Sequence, residues 1–305
     1  FRGLSRGHDL LHFHYPWPFG DLLAELRAAS LPYVVTYHSD IVRQKRLESL
    51  YAPLRSRFLA RAAAVVATSA NYLATSDVLR GLDERVQVIP IGLDPAQYPP
   101  AEATRTAAWR DRLGSGFFLF VGVLRYYKGL HILLSANAGL DLPVVIVGAG
   151  PVEADLRQQA ARLRLRNTVF LGPLPDADKA SLLALARALV FPSHLRSEAF
   201  GISLLEGALF GKPLISSEIG TGSSYINLDG VTGIVVPPSD PAALKAAMLR
   251  LAQDDTLCNR LGRQARDRFQ RRFHADRMGD RYVALYDSVL KAQRVPGAIG
   301  RLFTG

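Results

Sequence analysis

The sequence predicts an α/β protein built on two doubly wound parallel sheets, the first of them short. Three observations carry this. Short runs rich in Val, Ile and Phe alternate with longer segments of helical spacing. The alternation halts at a proline-rich stretch and then restarts. A chain of 305 residues, 49% hydrophobic and 21% charged, has the apolar content for two cores of ordinary size. Continuous apolar strands joined by crossover helices imply parallel sheets covered on both faces.

In the first series the expected strands are LLHFH (10–14), YVVTYH (33–38), AVVATS (64–69) and VQVIPI (86–91), with helices over 20–30, 42–62 and 71–82. The stretch 90–106 holds four prolines and one glycine and reads as the interdomain linker. In the second series the expected strands are 117–124, 142–150, 169–174, 188–193 and 213–217, with helices over 129–139, 153–164, 176–187 and 200–211. Helices over 241–254, 256–273 and 275–293 follow. The expected division is residues 1–92 as a partial first domain, 93–274 as the second domain, and 275–305 as a helix crossing back to the first domain with a tail. A doubly wound nucleotide-binding sheet has about six strands. The four of the first series therefore lead us to expect two or three βα units ahead of Phe1.

Composition narrows the function. Lys and Arg number 37 against 27 Asp and Glu, a formal charge of +10, which attracts polyanions and phosphorylated molecules. The basic residues have little aromatic interleaving and no recognition motif, so nucleic acid is not an expected partner. No apolar run reaches 18 residues, so no membrane-spanning helix is expected, and FRGLSRGHDL lacks the shape of a signal peptide. The single Cys258 excludes an internal disulfide and fits a reducing compartment, the cytoplasm by default, as a small buried hydrophobe.

The densest chemical signal is SHLRSEAFGISLLEGALFGKP (193–213). Gly201 starts a helix, so the following N–H groups are unpaired donors that, with the helix dipole, suit a phosphate. Glu198 precedes that helix and Glu206 lies in its second turn, where each can accept hydrogen bonds from vicinal hydroxyls. A second cluster, GVLRYYKG (122–129), follows a strand directly. Arg125 and Lys128 project there over the carboxyl edge of the sheet, where open α/β sheets bind ligands, and both cations suit phosphate. The glycines of GAGP (148–151) also suggest dinucleotide binding, but the third glycine of that fingerprint is missing. His12 and His14 alternate on one strand face, and a metal pair there lacks a third ligand of suitable spacing. His131 and His274 read as structural.

Taken in order, R-x-x-K-G, G-A-G-P and S-E-A-F-G-x-x-x-L-E-x-x-x-x-G-K-P resemble the retaining glycosyltransferase family 4, with its two-domain GT-B architecture facing a cleft. TYHSDIVRQ and EIGTGSSYIN narrow the resemblance to bacterial mannosyltransferase-like enzymes of exopolysaccharide and O-antigen assembly. The resemblance implies that Arg125 and Lys128 bind the donor diphosphate, that Glu198 contacts the donor hexose, and that Glu206 binds the ribose. It implies that Phe200, Gly201, Ile202 and Ser203 supply backbone contacts to hexose and phosphate. Gly148, Gly150 and Pro151 would border the nucleobase with Leu171, Gly172 and Leu174, and His38 would lie close to the donor sugar. His14 is expected on the acceptor side.

The expected reaction is transfer of mannose from GDP-mannose to a polyprenyl diphosphate-linked saccharide, without a cofactor. Two cations and a helix N-terminus can stabilise a departing diphosphate, so no divalent ion is expected to be required. Alternatives are a UDP-sugar or GDP-rhamnose donor, or a non-catalytic nucleotide-sugar-binding subunit. The basic, amphipathic stretch 42–62, with six Arg or Lys against one Glu, points to peripheral attachment at an anionic membrane surface on the cytoplasmic side. The arginines of 260–281 read as the surface of the terminal helices.

Overall fold

The computed structural model describes residues 7–27, 31–41, 45–82, 85–140 and 142–294. The chain divides into two units, Phe1–Ile91 with Ala275–Gly305, and Gly92–His274.

The first unit holds four parallel strands in chain order: β1 (Leu11–Tyr15), β2 (Tyr33–Tyr37), β3 (Ala64–Ala67) and β4 (Val86–Val88). Strands β2 and β3 are buried along their whole length, which is why they read as unbroken apolar runs. Strand β1 alternates instead. Phe13 and Tyr15 are buried, while His12 and His14 point to the other face. The register sets Leu11 opposite Tyr33 and Tyr15 opposite Tyr37, so both strands end together and His38 follows directly. The helix Ala275–Arg294 lays Leu285 and Val289 against Val34, Val66 and Ile89.

Helices α1 (Pro18–Arg27) and α2 (Lys45–Arg61) belong to the same unit. In α2, Phe58 and Leu59 are fully buried and Leu50 is 81% exposed. Residues 42–44 of the expected basic helix lie outside the described residues. The helix expected over 71–82 is two, α3 (Ala70–Thr75) and α4 (Asp77–Arg80). Ser76 breaks it by closing one and opening the other: its N–H donates to Tyr72 O and its Oγ accepts from Leu79 N.

Asp21 in the first turn of α1 is 1% exposed, accepts a hydrogen bond from Tyr51 Oη, and is pushed by burial from 3.8 up to about 7. A carboxyl raised in the folded state stabilises fully below its unfolded pKa, and that contribution is lost as pH rises towards 7. Asp21→Asn is therefore expected to raise the urea midpoint relative to the wild type at pH 8 and to leave it unchanged at pH 4. Burial also lowers His12 to about 4, an opposite pH dependence that cancels when variant and wild type are compared at one pH. An equal gain at both pH values would show that the carboxyl is not ionising in this window.

The second unit holds six parallel strands, β5 (Phe118–Val121), β6 (Val144–Val147), β7 (Thr168–Gly172), β8 (Ala188–Phe191), β9 (Leu214–Ser217) and β10 (Gly233–Val236), in the order β10-β9-β8-β5-β6-β7. The strand order reverses between β5 and β8, the doubly wound arrangement that opens a ligand crevice at the carboxyl ends of those two strands. Strand β10 corrects the expectation of five. It lies in D-G-V-T-G-I-V-V, which reads as a turn, and Gly233 opens it because a Cβ there would overlap the Leu214 carbonyl of β9.

Helix α5 (Ala103–Leu113) corrects the reading of 90–106 as linker alone. It buries no residue and so shows no apolar stripe. Polar bonds hold it to α8 (Asp176–Leu185), which follows α6 (Leu130–Asn137) and α7 (Glu153–Arg162) in the chain: Trp109 Nε1 and Arg105 donate to Asp178 at 2.9 and 3.1 Å, and Thr106 bonds Ser181 at 3.2 Å. Among the remaining helices, α9 (Ile202–Leu209) and the five-residue α10 (Gly222–Ile226) flank β9.

Candidate active site

The loops leaving β5 and β8 carry both motif clusters and meet at the point where the strand order reverses. In the first, Arg125 is exposed and Tyr126–Lys128 form a single 3-10 turn closed by Gly129 in a left-handed conformation (φ 71°). A Cβ on Gly129 would overlap the carbonyl of Pro192 in the second loop, so only glycine allows the two backbones to approach this closely. His194 N donates to Tyr127 O at 3.0 Å and ties the loops together.

This approach brings Lys128 Nζ onto Glu198 Oε2 in an ion pair whose side chains are 13% and 10% exposed. Ser193 Oγ donates to the same oxygen at 3.1 Å. The ammonium also lies over the Phe191 and Tyr127 rings, 4.9 and 5.4 Å from their centroids. A buried pair keeps both charges only while each has the other, so Lys128 and Glu198 are one electrostatic unit. Tyr126, exposed between the two cations, stacks on His131 at 5.0 Å, and His194 packs edge-on to both rings.

Gly201 (φ 99°) leads into α9, whose N-terminus has no side-chain cap. The first-turn N–H groups are thus the oriented donors expected from the sequence. Phe200 is buried, Ile202 is exposed and Ser203 is half-buried. Glu206 lies one turn on, buried, with its Oε1 accepting from Tyr98 Oη at 3.1 Å and lying 4.0 Å from Lys179 Nζ. Burial pushes its carboxyl up, and Lys179 and the Tyr98 hydroxyl partly offset this.

The loops after β5, β6 and β7 run side by side. Gly122 N donates to Val147 O, Leu124 N to Ala149 O at 3.0 Å, and Gly148 N to Gly172 O at 2.8 Å. A Cβ on Gly148 or Gly150 would overlap the carbonyls of Gly122 or Leu124. Pro151 is exposed, while Leu171, Gly172 and Leu174 are half-buried at the end of β7. These six residues therefore sit on the same sheet edge as Arg125 and Lys128.

His14 and His38 stand in the first unit at the carboxyl ends of β1 and β2, with His14 Nδ1 2.8 Å from His38 Nε2. Tyr98 and Lys179 are not legible as partners of Glu206 because they are remote in sequence, whereas Ser193, the partner of Glu198, lies only five residues away inside the motif itself. Among the described residues no group of three or more His, Cys, Asp or Glu gathers that could hold a metal ion. Cys258 is buried, its thiol bonded to Arg187 O and pushed up by burial.

The doubly wound sheet thus gathers a cation–carboxylate pair and an uncapped helix N-terminus at its order reversal. Residues 106–268 match the family of glycosyl transferases group 1, and residues 2–97 match glycosyltransferase family 4. The chain belongs to this family and is a glycosyltransferase of GT-B fold. It is 58% identical over 275 residues to the D-rhamnosyltransferase WbpZ of Pseudomonas aeruginosa, covering 90% of this chain and 72% of that protein. It is 50% identical over 293 residues to the O-antigen chain mannosyltransferase C of Escherichia coli, covering 96% and 79%. Among solved structures, Anabaena Alr3699/HepE in complex with UDP superposes with a TM-score of 0.80 at 21% identity, covering 94% of this chain and 80% of that one. Sucrose-phosphate synthase from Thermosynechococcus elongatus does so with a TM-score of 0.80 at 24% identity, covering 95% and 76%.

Proposed function

We propose that the chain is a retaining hexosyltransferase that moves mannose from GDP-mannose to a lipid-linked saccharide in the synthesis of a bacterial surface polysaccharide. The observation that carries this reading is the Lys128–Glu198 pair beside the uncapped N-terminus of α9. It supplies positive potential for a diphosphate and a carboxylate for hydroxyls within one loop system.

In this reading Arg125, Lys128 and the first-turn N–H groups of α9 hold the diphosphate. Glu198 receives hydroxyls of the hexose, and Phe200, Gly201, Ile202 and Ser203 line it with backbone. Both contacts of Glu206 fall on Oε1, which leaves Oε2 for the ribose. The edge formed by Gly148, Gly150, Pro151, Leu171, Gly172 and Leu174 borders the base. The bond between the anomeric carbon and the diphosphate oxygen breaks, and its electron pair leaves with the nucleoside diphosphate. The acceptor oxygen bonds the same face of that carbon, and its proton passes to a diphosphate oxygen. Arg125 and Lys128 offset the charge that develops on the leaving group. His38 takes the role that the family resemblance assigns it, towards the donor sugar.

The acceptor is taken from the membrane. Trp17, Phe19, Leu22 and Leu50 are exposed on or beside α1 and α2, and Arg57 and Arg61 expose most or nearly half of their side chains while sharing Glu25. Exposed aromatics and arginines carried by the same pair of helices suit peripheral attachment to an anionic lipid surface. Among the described residues no helix is long and apolar enough to cross a membrane.

A second donor, GDP-D-rhamnose, is favoured by the resemblance to a D-rhamnosyltransferase. Calorimetric titration with GDP, UDP and ADP is expected to rank GDP tightest, and a short-chain lipid-linked acceptor is expected to gain mannose. Tighter UDP binding would overturn the donor base. Transfer from GDP-D-rhamnose alone would select the second donor, and GDP binding without any transfer would mark a non-catalytic binder.

A further inference from the structure

Three imidazoles stack on the first sheet in a row that runs towards its carboxyl end. His12 and His14 lie 4.7 Å apart between ring centroids, and His14 and His38 5.1 Å. The inner ring is fully committed. His12 Nδ1 bonds Tyr286 Oη and Nε2 bonds Thr36 Oγ1, both at 2.7 Å, and Thr36 Oγ1 bonds Tyr282 Oη. The outer two rings bond one another through His14 Nδ1 and His38 Nε2. His14 is exposed, so its ring is not required to fill a core. Among the described residues its polar partner is His38.

A neutral imidazole carries one proton, and the bond made by one nitrogen fixes the state of the other. In water the free side chain favours Nε2–H. If His38 Nε2–H donates to His14 Nδ1, both rings are in that favoured form. The reverse direction would put both in the disfavoured form. Burial also holds His38 towards the neutral state. The remaining nitrogen of His38, Nδ1, is then a lone pair.

We propose that His14 is a positioning residue that holds His38 in its Nε2–H tautomer and leaves His38 Nδ1 as the acceptor for a sugar hydroxyl. This rests on the reading of His38 as lying close to the donor sugar. It gives the exposed His14 a task that acts through His38 rather than through a contact of its own with the acceptor.

The test uses the full chain labelled with ¹⁵N at its histidine rings, with the His38 signals assigned from a His38→Gln spectrum. In the wild type, long-range ¹H–¹⁵N correlations are expected to show His38 as a neutral ring protonated at Nε2. His14→Phe keeps a stacked ring but removes the acceptor. It is expected to turn the His38 pattern into a mixture of tautomers and to lower kcat about tenfold, with the donor KM almost unchanged, as fits the loss of one neutral hydrogen bond. His14→Asn, whose Oδ1 can accept in place of Nδ1, is expected to restore both the pattern and the rate. An unchanged His38 pattern in His14→Phe, or an Asn variant as slow as the Phe variant, overturns the positioning role. A wild-type rate for His38→Gln overturns the proposal through the reading it rests on, and the tautomer pattern still reports separately whether His14 sets the state of His38.

Discussion

Lys128→Met is expected to lower glycosyl transfer about 10²–10³-fold, the usual cost of removing one group that stabilises charge in the transition state. The same substitution is expected to destabilise the second unit by about 3–5 kcal/mol, because Glu198 would keep its buried charge with Ser193 as the remaining defined donor. The two losses can be separated. In Lys128→Met/Glu198→Gln the buried charge is gone with the cation, and a neutral amide still accepts from Ser193. Stability by urea unfolding is expected to return close to that of the wild type, whereas the initial rate with saturating donor stays low. A double variant that regains activity would show that Lys128 serves folding alone. A single variant as stable as the wild type would show that water already reaches the pair.

What the sequence disclosed follows from burial and from distance along the chain. Strands such as β5 and β6 are buried on both faces, so each is an unbroken apolar word and was legible. Strand β10 was not, because Gly233, required by the close approach of Leu214, looks like a turn residue when read alone. Helix α5 escaped because its support is the Trp109–Asp178 bond across 69 residues and not an apolar stripe. The motif 193–213 was legible because its carboxylates, glycine and helix start are contiguous. The partners that give those carboxylates their state were not, since Lys128 reaches Glu198 across 70 residues and Tyr98 reaches Glu206 across 108. The bond between His14 and His38 depends on the register of β1 against β2, which residue types alone do not fix.

Gly129→Ala is expected to cost donor affinity about tenfold or more, because small misplacements of charged groups are expensive. At φ 71° any non-glycine residue is strained, at about 1–3 kcal/mol. The larger effect comes from overlap. The added methyl would fall on the Pro192 carbonyl, so the loops after β5 and β8 must part. Lys128 precedes Gly129 directly and Ser193 follows Pro192, so parting the loops pulls apart the Lys128–Glu198–Ser193 unit. Gly139→Ala is the matching control. Its φ is 76°, but nothing lies within 4 Å of its added methyl. That variant is expected to show the backbone strain in thermal unfolding while binding GDP as the wild type does. Equal GDP affinity in both variants would mean that the loops can separate without cost. Loss confined to Gly129→Ala would show that the close packing of two backbones, and not the identity of the charged residues alone, sets the geometry of the Lys128–Glu198–Ser193 unit.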